Sequence, residues 1–240
     1  MTNNGSPPNW EEKEAGNPIG CTAWVLNSLA CELTVRSTTE IEDGEDIPWF
    51  DLQEDFESAV LLEDATSICD CVFEDHQNLK SVQIPETVKS IGYCAFSRYN
   101  IFSIKIPKSV VSFVGDQFFR CRNLKEIDVS ENPNFIFVYG MLMDKEMTQL
   151  IYCNPSKSGK YSIPEIVRVI GAGAFNECGK LTSTAIPDSV TYIGKDAFFR
   201  CFGLTSVIIP RSITFNGEYA FSSCRNLKSV TANRNVFSNC

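Results

Sequence analysis

Six phenylalanines recur at nearly constant spacing along most of the chain. They are Phe73, Phe96, Phe118, Phe175, Phe198 and Phe221, and the successive gaps are 23, 22, 57, 23 and 23 residues. A fixed short period is typical of a solenoid, in which each coil buries its apolar face only against its neighbours. We therefore expect a stack of coils in which these marker phenylalanines lie over one another along one core.

Positions counted from the marker predict the shape of one coil. Apolar or small residues occupy positions −1, +3, +6, +9 and +11, which around Phe198 are Ala197, Cys201, Leu204, Val207 and Ile209. The alternation of +9 and +11 predicts a short strand with one buried face. Proline follows in most coils and ends the strand because it has no N–H. The next coil begins with Ser/Thr-Val-x-x-Ile-Gly, whose glycine either takes a positive φ or allows a tight return.

Regular helices do not fit this pattern. Proline and glycine recur in most coils and leave only short stretches between them. At most one helical turn fits around the Ala-Phe-x-x-Cys segment. Each coil is therefore predicted to be a strand followed by an irregular or 3-10 return.

The repeated phrase L-x-x-V-x-I-P-x-S-V-x-x-I-G-x-x-A-F-x-x-C resembles the 23-residue leucine-rich repeat of BspA-like surface proteins. It runs from about Ser58 to the end of the chain and fixes many positions. The resemblance implies a leucine-rich-repeat solenoid, a right-handed stack of short parallel β-strands. It also implies a cell-surface or secreted protein that contacts a host or matrix protein, or other cells, without being an enzyme.

The long gap between Phe118 and Phe175 predicts an insertion at about 131–160. Two apolar, aromatic-rich runs, 135–143 and 148–152, flank residues 144–147 and predict a β-hairpin. BspA-like proteins often insert such a hairpin with a D-G-x-L start, and Tyr139-Gly140-Met141-Leu142 stands in its place here. The repeat is expected to resume at Ile163.

The N-terminal quarter lacks the repeat. Residues 1–17 are polar and are interpreted as a disordered leader. Residues 18–60 are interpreted as a cap with a hairpin around 27–29, as in many BspA-like proteins, which would cover the first coil's apolar face and free edge. The solenoid then spans 61–240. No signal-peptide pattern opens the sequence as given, and no apolar run reaches the about 18 residues of a membrane span.

Charge is unevenly distributed. Residues 1–79 carry 18 acidic and two basic residues, whereas residues 80–240 carry 12 acidic and 19 basic residues. One interpretation is a solvated acidic cap on a mixed surface. The other is that stacking aligns bases at +2 and +7 into tracks that attract an anionic glycan or an acidic protein. The tracks would comprise Arg98, Arg120 and Arg200, and Lys80, Lys125 and Lys228. Nucleic acid is not expected as a partner, because no aromatic stacking platform interleaves with these bases.

The cysteines at +3 are predicted to stack inward as buried, inert thiols. They are Cys121, Cys178, Cys201 and Cys224. Cys71 and Cys94, at −2 of adjacent coils, would be about 4.8 Å apart, but their parallel Cβ directions make a poor bridge. Cys21 with Cys31, across the cap hairpin, is the better disulfide candidate. Cys69 and Cys71 are separated by one residue, without a second pair at zinc-finger spacing.

Little in the sequence supports catalysis. His76, the only histidine, lies at +3 and is interpreted as structural, and no G-x-S-x-G accompanies it. Residues 171–173 contain G-x-G but no third glycine of a nucleotide loop. Carboxylates of the acidic segment could pair as in a glycosidase. These are Asp43, Glu45, Asp51, Glu54 and Asp55. We expect no enzyme activity, no cofactor and no metal.

Partner binding is predicted on the strands at +8 and +10, which point away from the core. In the coil after Phe96 these two positions fall one residue early. The candidates are Ser81, Gln83, Ser103, Lys105, Glu126, Asp128, Ser183, Ser206, Ile208, Ser229 and Thr231, with Phe137 and Tyr139 of the inserted hairpin. About seven strands give roughly 500 Å², below the about 800 Å² per partner of a standard interface. The favoured hypothesis is a protein- or glycan-binding adhesion module. The alternatives are a hydrolase that uses the acidic cap and a spacer that displays another domain.

Overall fold

Each coil contributes two strands, one from the +8 to +11 segment and one from the segment that precedes the marker. The structure, a computed structural model, describes residues 24–27, 32–35, 56–63 and 65–232. The predicted leader, the Cys21–Cys31 pair and the acidic residues 43–55 lie outside these residues. The strands are β1 (Trp24–Asn27), β2 (Glu32–Val35), β3 (Ser58–Leu61), β4 (Ser67–Ile68), β5 (Ser81–Gln83), β6 (Ser90–Ile91), β7 (Ser103–Lys105), β8 (Ser112–Phe113), β9 (Glu126–Asp128), β10 (Phe135–Val138), β11 (Met141–Asp144), β12 (Gln149–Cys153), β13 (Ser158–Ser162), β14 (Val169–Ile170), β15 (Lys180–Ala185), β16 (Tyr192–Ile193), β17 (Ser206–Ile209), β18 (Phe215–Asn216) and β19 (Ser229–Ala232).

The strands stack as predicted for a leucine-rich-repeat solenoid. The +8 to +11 strands form sheets β1-β2-β3-β5, β7-β9 and β13-β15-β17-β19, whose outer side is called the strand face below. The other strands form the return sheets, β4-β6-β8 and β10-β11-β12-β14-β16-β18. Pairing between coils is parallel, whereas β1 and β2 pair antiparallel. Strand β2 also pairs parallel with β3, and the assignment of 18–60 as a cap stays a prediction.

The strand face is divided into three sheets rather than forming the one continuous sheet that was predicted. One break falls between β5 and β7, where the spacing from Ser81 to Ser103 is 22 residues instead of 23. The other falls between β9 and β13, where the insertion leaves the solenoid. In both places a change in coil length shifts the backbone groups that would otherwise pair.

The marker phenylalanines stack in two runs. Rings of Phe73, Phe96 and Phe118 lie 5.8 and 5.9 Å apart, and those of the last three markers lie 4.8 and 5.0 Å apart, with interplanar angles of 5–11°. The expected single core is therefore two clusters that meet at the insertion. The wider spacing occurs where +3 holds the rings of His76 and Tyr99, both buried, instead of cysteine.

Cysteine at +3 stacks inward as predicted, and its thiol also donates a hydrogen bond to a backbone carbonyl of the preceding coil. The thiol of Cys201 donates to the Phe175 carbonyl at 3.1 Å, and Cys224 donates to the Phe198 carbonyl at 3.1 Å. Cys121 contacts the Phe96 carbonyl at 2.8 Å in the same way. Cysteine suits this position because it is small, apolar and a weak donor.

Close packing, not positive φ, explains the glycine of the Ile-Gly segment. Gly194 is not among the glycines with positive φ, but a Cβ atom there would overlap the backbone of Ala172 in the coil before. Positive φ instead occurs at +2, as in Arg98 at 56° and Arg200 at 57°. These left-handed residues turn the chain between the marker and the next strand, so the returns are irregular turns.

The insertion contains the predicted hairpin and one further strand. Strands β11 and β12 pair antiparallel around residues 145–148, and β10 pairs with β11. The first apolar run is thus two strands, because Tyr139 (φ 51°) and Gly140 (φ 73°) make a tight turn within it. Strand β12 then pairs parallel with β14, so the insertion belongs to the return sheets.

The coil that contains β12 and β13 has no marker phenylalanine. Cys153 takes the marker's backbone position, since its N–H donates to the Ala174 carbonyl at 2.7 Å as the N–H of Phe198 donates to Ala220. Two tyrosines supply the missing rings. Tyr152 packs edge-on against Phe118 at 5.4 Å, and Tyr161 lies 6.1 Å from Phe175.

Truncation of a stacked marker tests this core. Phe198 is fully buried between two parallel rings, so we expect Phe198→Ala to lower the free energy of unfolding by about 3–5 kcal/mol. Ser206→Ala, on the strand face, should be nearly silent. Chemical denaturation measures both, and equal midpoints for the two variants would contradict the assignment of the core.

Loss of one hydroxyl tests the junction at the insertion. The buried Tyr152 hydroxyl donates to the Leu124 carbonyl at 2.8 Å. Tyr152→Phe keeps the ring, so it should cost about 0.5–1.5 kcal/mol, the usual net value of one hydrogen bond. Tyr139→Phe, at a ring that is 76% exposed, is the control and should be nearly silent. A larger loss for the control in the same denaturation experiment would contradict the role assigned to Tyr152.

Candidate functional site

The predicted strand-face side chains are exposed or half-buried. Ser183 and Ser206 are half-buried, and the other nine predicted positions on these strands are exposed. In the last three coils the side chains form two rows in register, because Ser183 pairs with Ser206 and Ser206 with Ser229. The second row aligns Ala185, Ile208 and Thr231 in the same way. Whether these residues bind a partner stays a prediction.

The middle of the strand face is charged. Lys105 of β7 lies beside Asp128 of β9 in the register of the sheet, and its Nζ is 3.0 Å from Glu131. The backbone N–H of Ser130 donates to Asp128 at 3.0 Å, and this hydrogen bond holds the pKa of Asp128 below its usual value. The strand face therefore presents ordered charges beside the uncharged rows of the last coils.

The two hairpin candidates lie on a different sheet. Phe137 and the turn residue Tyr139 belong to β10 and its turn in the return sheets, so the structure does not bring them together with the strand-face residues. Phe137 is half-buried against the first core cluster, whereas Tyr139 is 76% exposed. The insertion therefore does not enlarge the strand face as the sequence allowed.

The predicted basic track at +2 is a ladder of opposite charges. Arg98 lies 2.9 Å from Asp75 in the coil before it. Arg120 and Arg200 each lie 3.2 Å from the same carboxylate, that of Glu177. Asp75 and Glu177 themselves occupy +2, so acidic and basic residues share the track. At +7, Lys80 is likewise paired, at 2.6 Å from Glu57.

Glu177 joins the two halves of the solenoid. Its side chain is only 5% exposed and contacts Arg120 and Arg122 from before the insertion and Arg200 from after it. Burial raises the pKa of Glu177, but hydrogen bonds and charge from Arg122, with hydrogen bonds from Arg120 and Arg200, outweigh burial and lower it. The ring of Phe119 also meets that of Phe199 at 5.7 Å, across the same junction.

The other buried titratable groups are structural. Burial, and then the charge of Asp196, raise the pKa of Asp116, which packs against Gly173 so closely that no Cβ atom fits there. Burial also raises the pKa of Cys121, so this thiol stays protonated and unreactive. His76 is enclosed at +3, with Nδ1 2.9 Å from the Glu74 carbonyl and its ring against Phe56.

Two kinds of feature are absent from the described residues, a metal-binding cluster and a membrane-spanning helix. No group of three or more His, Cys, Asp and Glu side chains arranged to hold a metal ion occurs in 24–27, 32–35, 56–63 and 65–232. Over the same residues, no helix has the length and hydropathy needed to cross a bilayer. Among the cysteines described there, Cys94, Cys121, Cys153, Cys178, Cys201 and Cys224 are free thiols.

The repeat matches a known family over most of the chain. The sequence model of the BspA type leucine-rich repeat region matches residues 49–154 and 145–240, with six copies. The chain belongs to the BspA-type leucine-rich repeat family. The family model supports the repeat assignment made from the marker phenylalanines. Members of this kind are in general scaffolds rather than enzymes. A comparison with curated proteins gives no significant match.

Solved structures of several bacterial proteins, among them leucine-rich repeat proteins, share the fold. A leucine-rich repeat protein from Eubacterium ventriosum is 22% identical, with a TM-score of 0.64 over 90% of this chain and 71% of that one. The pneumococcal vaccine antigen PcpA is 23% identical, with a TM-score of 0.65 over 75% of this chain and 52% of that one. A leucine-rich cell surface protein from Faecalibacterium prausnitzii is 23% identical, with a TM-score of 0.62 over 79% of this chain and 62% of that one. At these identities the likeness concerns the fold.

Sequence reasoning missed two residues that matter for the BspA-type solenoid. Cys153 lies 22 residues before Phe175, a spacing that also separates Phe96 from Phe118, but it carries no ring to signal a marker. Glu177 was overlooked because the +2 position was considered only for its arginines. Counting every residue at +2 would have found the opposite charges, although not the convergence of three arginines on one carboxylate.

The Glu177 cluster makes stability depend on pH. Because its folded pKa is lowered, Glu177 contributes stability above its unfolded value of about 4.5, and this contribution is lost as pH falls through the folded pKa. We expect Glu177→Gln to cost about 1.5–3 kcal/mol at pH 7, as for hydrogen bonds to a charged group. The difference from wild type should shrink towards pH 3.

Denaturant unfolding at pH 3, 5 and 7 measures this dependence. Glu146→Gln, at an exposed turn of the insertion, is the matched control and should show no difference at any pH. An equal loss for Glu177→Gln at all three pH values would show that the charge of Glu177 does not stabilise the junction.

Proposed function

We propose that this BspA-type protein is a non-enzymatic adhesion module of a cell-surface or secreted protein, and that its strand face binds a protein partner. The observation that carries the proposal is the pair of rows in the last three coils, with Ser183, Ser206 and Ser229 beside Ala185, Ile208 and Thr231. Ile208 in the middle of the second row is 58% exposed.

The chemistry of these rows suits a protein surface. Short side chains that end in hydroxyl or methyl groups leave a flat surface over the parallel sheet, so a partner can approach the backbone closely. An exposed isoleucine among hydroxyls offers an apolar anchor within a polar rim, the usual anatomy of a protein interface. The charges of Lys105, Glu126 and Asp128, further along the same face, would set orientation and the rate of association.

The size of the strand face limits the affinity. Roughly 500 Å² is below the about 800 Å² per partner of a standard interface, and the insertion adds no area on this side. A single copy is therefore expected to bind weakly. Tight adhesion would then depend on many copies at one surface, where effective concentration raises avidity without new contacts.

The surface location is supported by relatives and by the repeat family. The Faecalibacterium prausnitzii structure is described as a cell surface protein, and the pneumococcal one as a vaccine antigen. Both share the solenoid of this chain. A protein displayed on a cell would use the strand face to contact a host or matrix protein.

A charge placed in the apolar row tests the proposal. Ile208→Lys should weaken binding to immobilised extracellular-matrix proteins and to whole epithelial cells at least tenfold, because it puts a charge at the anchor position. Ile166→Lys, at an isoleucine that is also exposed but lies outside the strand face, is the matched control and should bind like wild type. Surface plasmon resonance and cell-binding counts measure both.

Two outcomes contradict this assignment. Equal binding by Ile208→Lys and wild type, with both folded by circular dichroism, would place the interface elsewhere. Turnover in a panel of glycoside substrates would favour the hydrolase that the acidic cap suggested, whereas ligand retained without turnover supports adhesion.

A further inference from the structure

A second surface of the solenoid carries three arginines around a cleft. The turns that follow Phe73, Phe96 and Phe118 enclose a cavity of about 540 Å³. Its lining includes Arg98, Arg120 and Arg122 together with the amides Gln77, Asn100 and Asn123. These residues lie at +2 to +5, so the cleft, called the arginine cleft below, is separate from the +8 and +10 positions of the strand face.

The arginine cleft has more positive charge than its carboxylates neutralise. Asp75 pairs with Arg98, and Glu177 is shared among Arg120, Arg122 and Arg200. Among the residues that line the cleft, three arginines face one carboxylate, Asp75. Adding Glu177 and its third partner Arg200, which lie beside the lining, gives four guanidinium groups to two carboxylates. Either count leaves a surplus of two positive charges. A site of this charge attracts anions.

The ion pairs also fix the position of the guanidinium groups while leaving some of their N–H donors available. Arg98 donates one N–H group to Asp75, and Arg120 donates one to Glu177. Each guanidinium has five N–H groups, so others stay available to a ligand. The Glu177 carboxylate is buried, while the side chains of Arg98 and Arg122 are 42% and 64% exposed. A fixed, exposed guanidinium binds sulfate or carboxylate in a bidentate way with little loss of entropy.

The remaining lining favours a sugar over a base or a peptide. The amide of Asn123 donates to that of Asn100 at 2.5 Å, and Gln77 donates to Asp75 at 3.4 Å. Amides both donate and accept, as hydroxyl groups do. Among the lining residues the one aromatic side chain, Tyr99, is buried in the core, so the cleft has neither a stacking ring for a base nor an apolar pocket for a peptide anchor.

We propose that the arginine cleft binds an acidic glycan. Sulfate or carboxylate groups contact Arg98, Arg120 and Arg122, and sugar hydroxyls contact the amides. This site is independent of the partner proposed for the strand face, so either assignment can fail while the other stands.

The test uses the full chain and three defined polymers. Heparin, which carries sulfate and carboxylate, hyaluronan, which carries carboxylate alone, and poly-glutamate are titrated by calorimetry at 50 and 150 mM salt. We expect heparin to bind, with affinity falling at the higher salt. Binding of hyaluronan as well would identify carboxylate as sufficient, and its failure would identify sulfate as the recognised group. Both results support an acidic glycan.

Paired variants separate the site from general attraction. Arg98→Gln with Arg122→Gln should weaken heparin binding at least tenfold. Arg168→Gln with Arg211→Gln removes the same charge at two exposed arginines outside the cleft and should change binding less than twofold. Arg98→Lys with Arg122→Lys keeps the charge and should give an intermediate loss, because lysine lacks the planar fork. Thermal melts establish that each variant is folded.

Three results would overturn the proposal. These are the absence of heparin binding at 50 mM salt, an equal loss in the control pair, and poly-glutamate binding as tightly as heparin with the same dependence on Arg98 and Arg122. The last result would assign the arginine cleft to an acidic peptide.

Discussion

Within each of the two runs of coils, the marker phenylalanine of one coil packs on the marker ring of the coil before it. Parallel rings 4.8–5.9 Å apart require the same rotamer and the same backbone path in each coil. The ladder of N–H groups from one coil to the carbonyls of the next fixes that path. The −1, +3 and +6 positions follow from it, because they must fill the space left around the ring. The repeat therefore constrains the inward side chains strongly and the outward ones very little.

The insertion shows what maintains the stack where the marker is missing. Cys153 continues the backbone ladder, since its N–H and carbonyl make the contacts that a marker makes. Tyr152 and Tyr161 fill the space on its two sides. At the edge of the junction Glu177 draws together arginines from both halves. At this junction, backbone pairing, ring packing and ionic contact come from different residues, whereas a coil with a marker phenylalanine combines pairing and packing in one residue. The core is accordingly divided into two clusters.

The predictable part of the fold is the part that repeats. Phe198 and Cys201 recur with their whole phrase, so their burial followed from period and polarity. The turn at Tyr139 was not predicted, because it lies inside an apolar run and depends on left-handed backbone. Only Gly140 indicated such a conformation there. The break between β5 and β7 follows from one missing residue, whose effect on pairing requires three-dimensional register. Likewise Arg120, Arg122 and Arg200 become one site only through their shared contact with Glu177, which is 57, 55 and 23 residues away from them.

The core constrains the outward positions very little. Outward residues that differ from the repeat pattern are therefore the best candidates for a binding site. Serine occupies the +8 strand position in five coils, which is what the scaffold tolerates, and it says little about a ligand. At +10, Ile208 departs from its small neighbours Ala185 and Thr231, because it is a large apolar side chain that is 58% exposed. The arginine cleft departs from the repeat pattern too, since like charges on neighbouring coils repel unless something offsets them. Asp75 and Glu177 offset that repulsion only in part, so a net positive charge remains. Features that the scaffold does not need, and that cost it something, are where a ligand is expected.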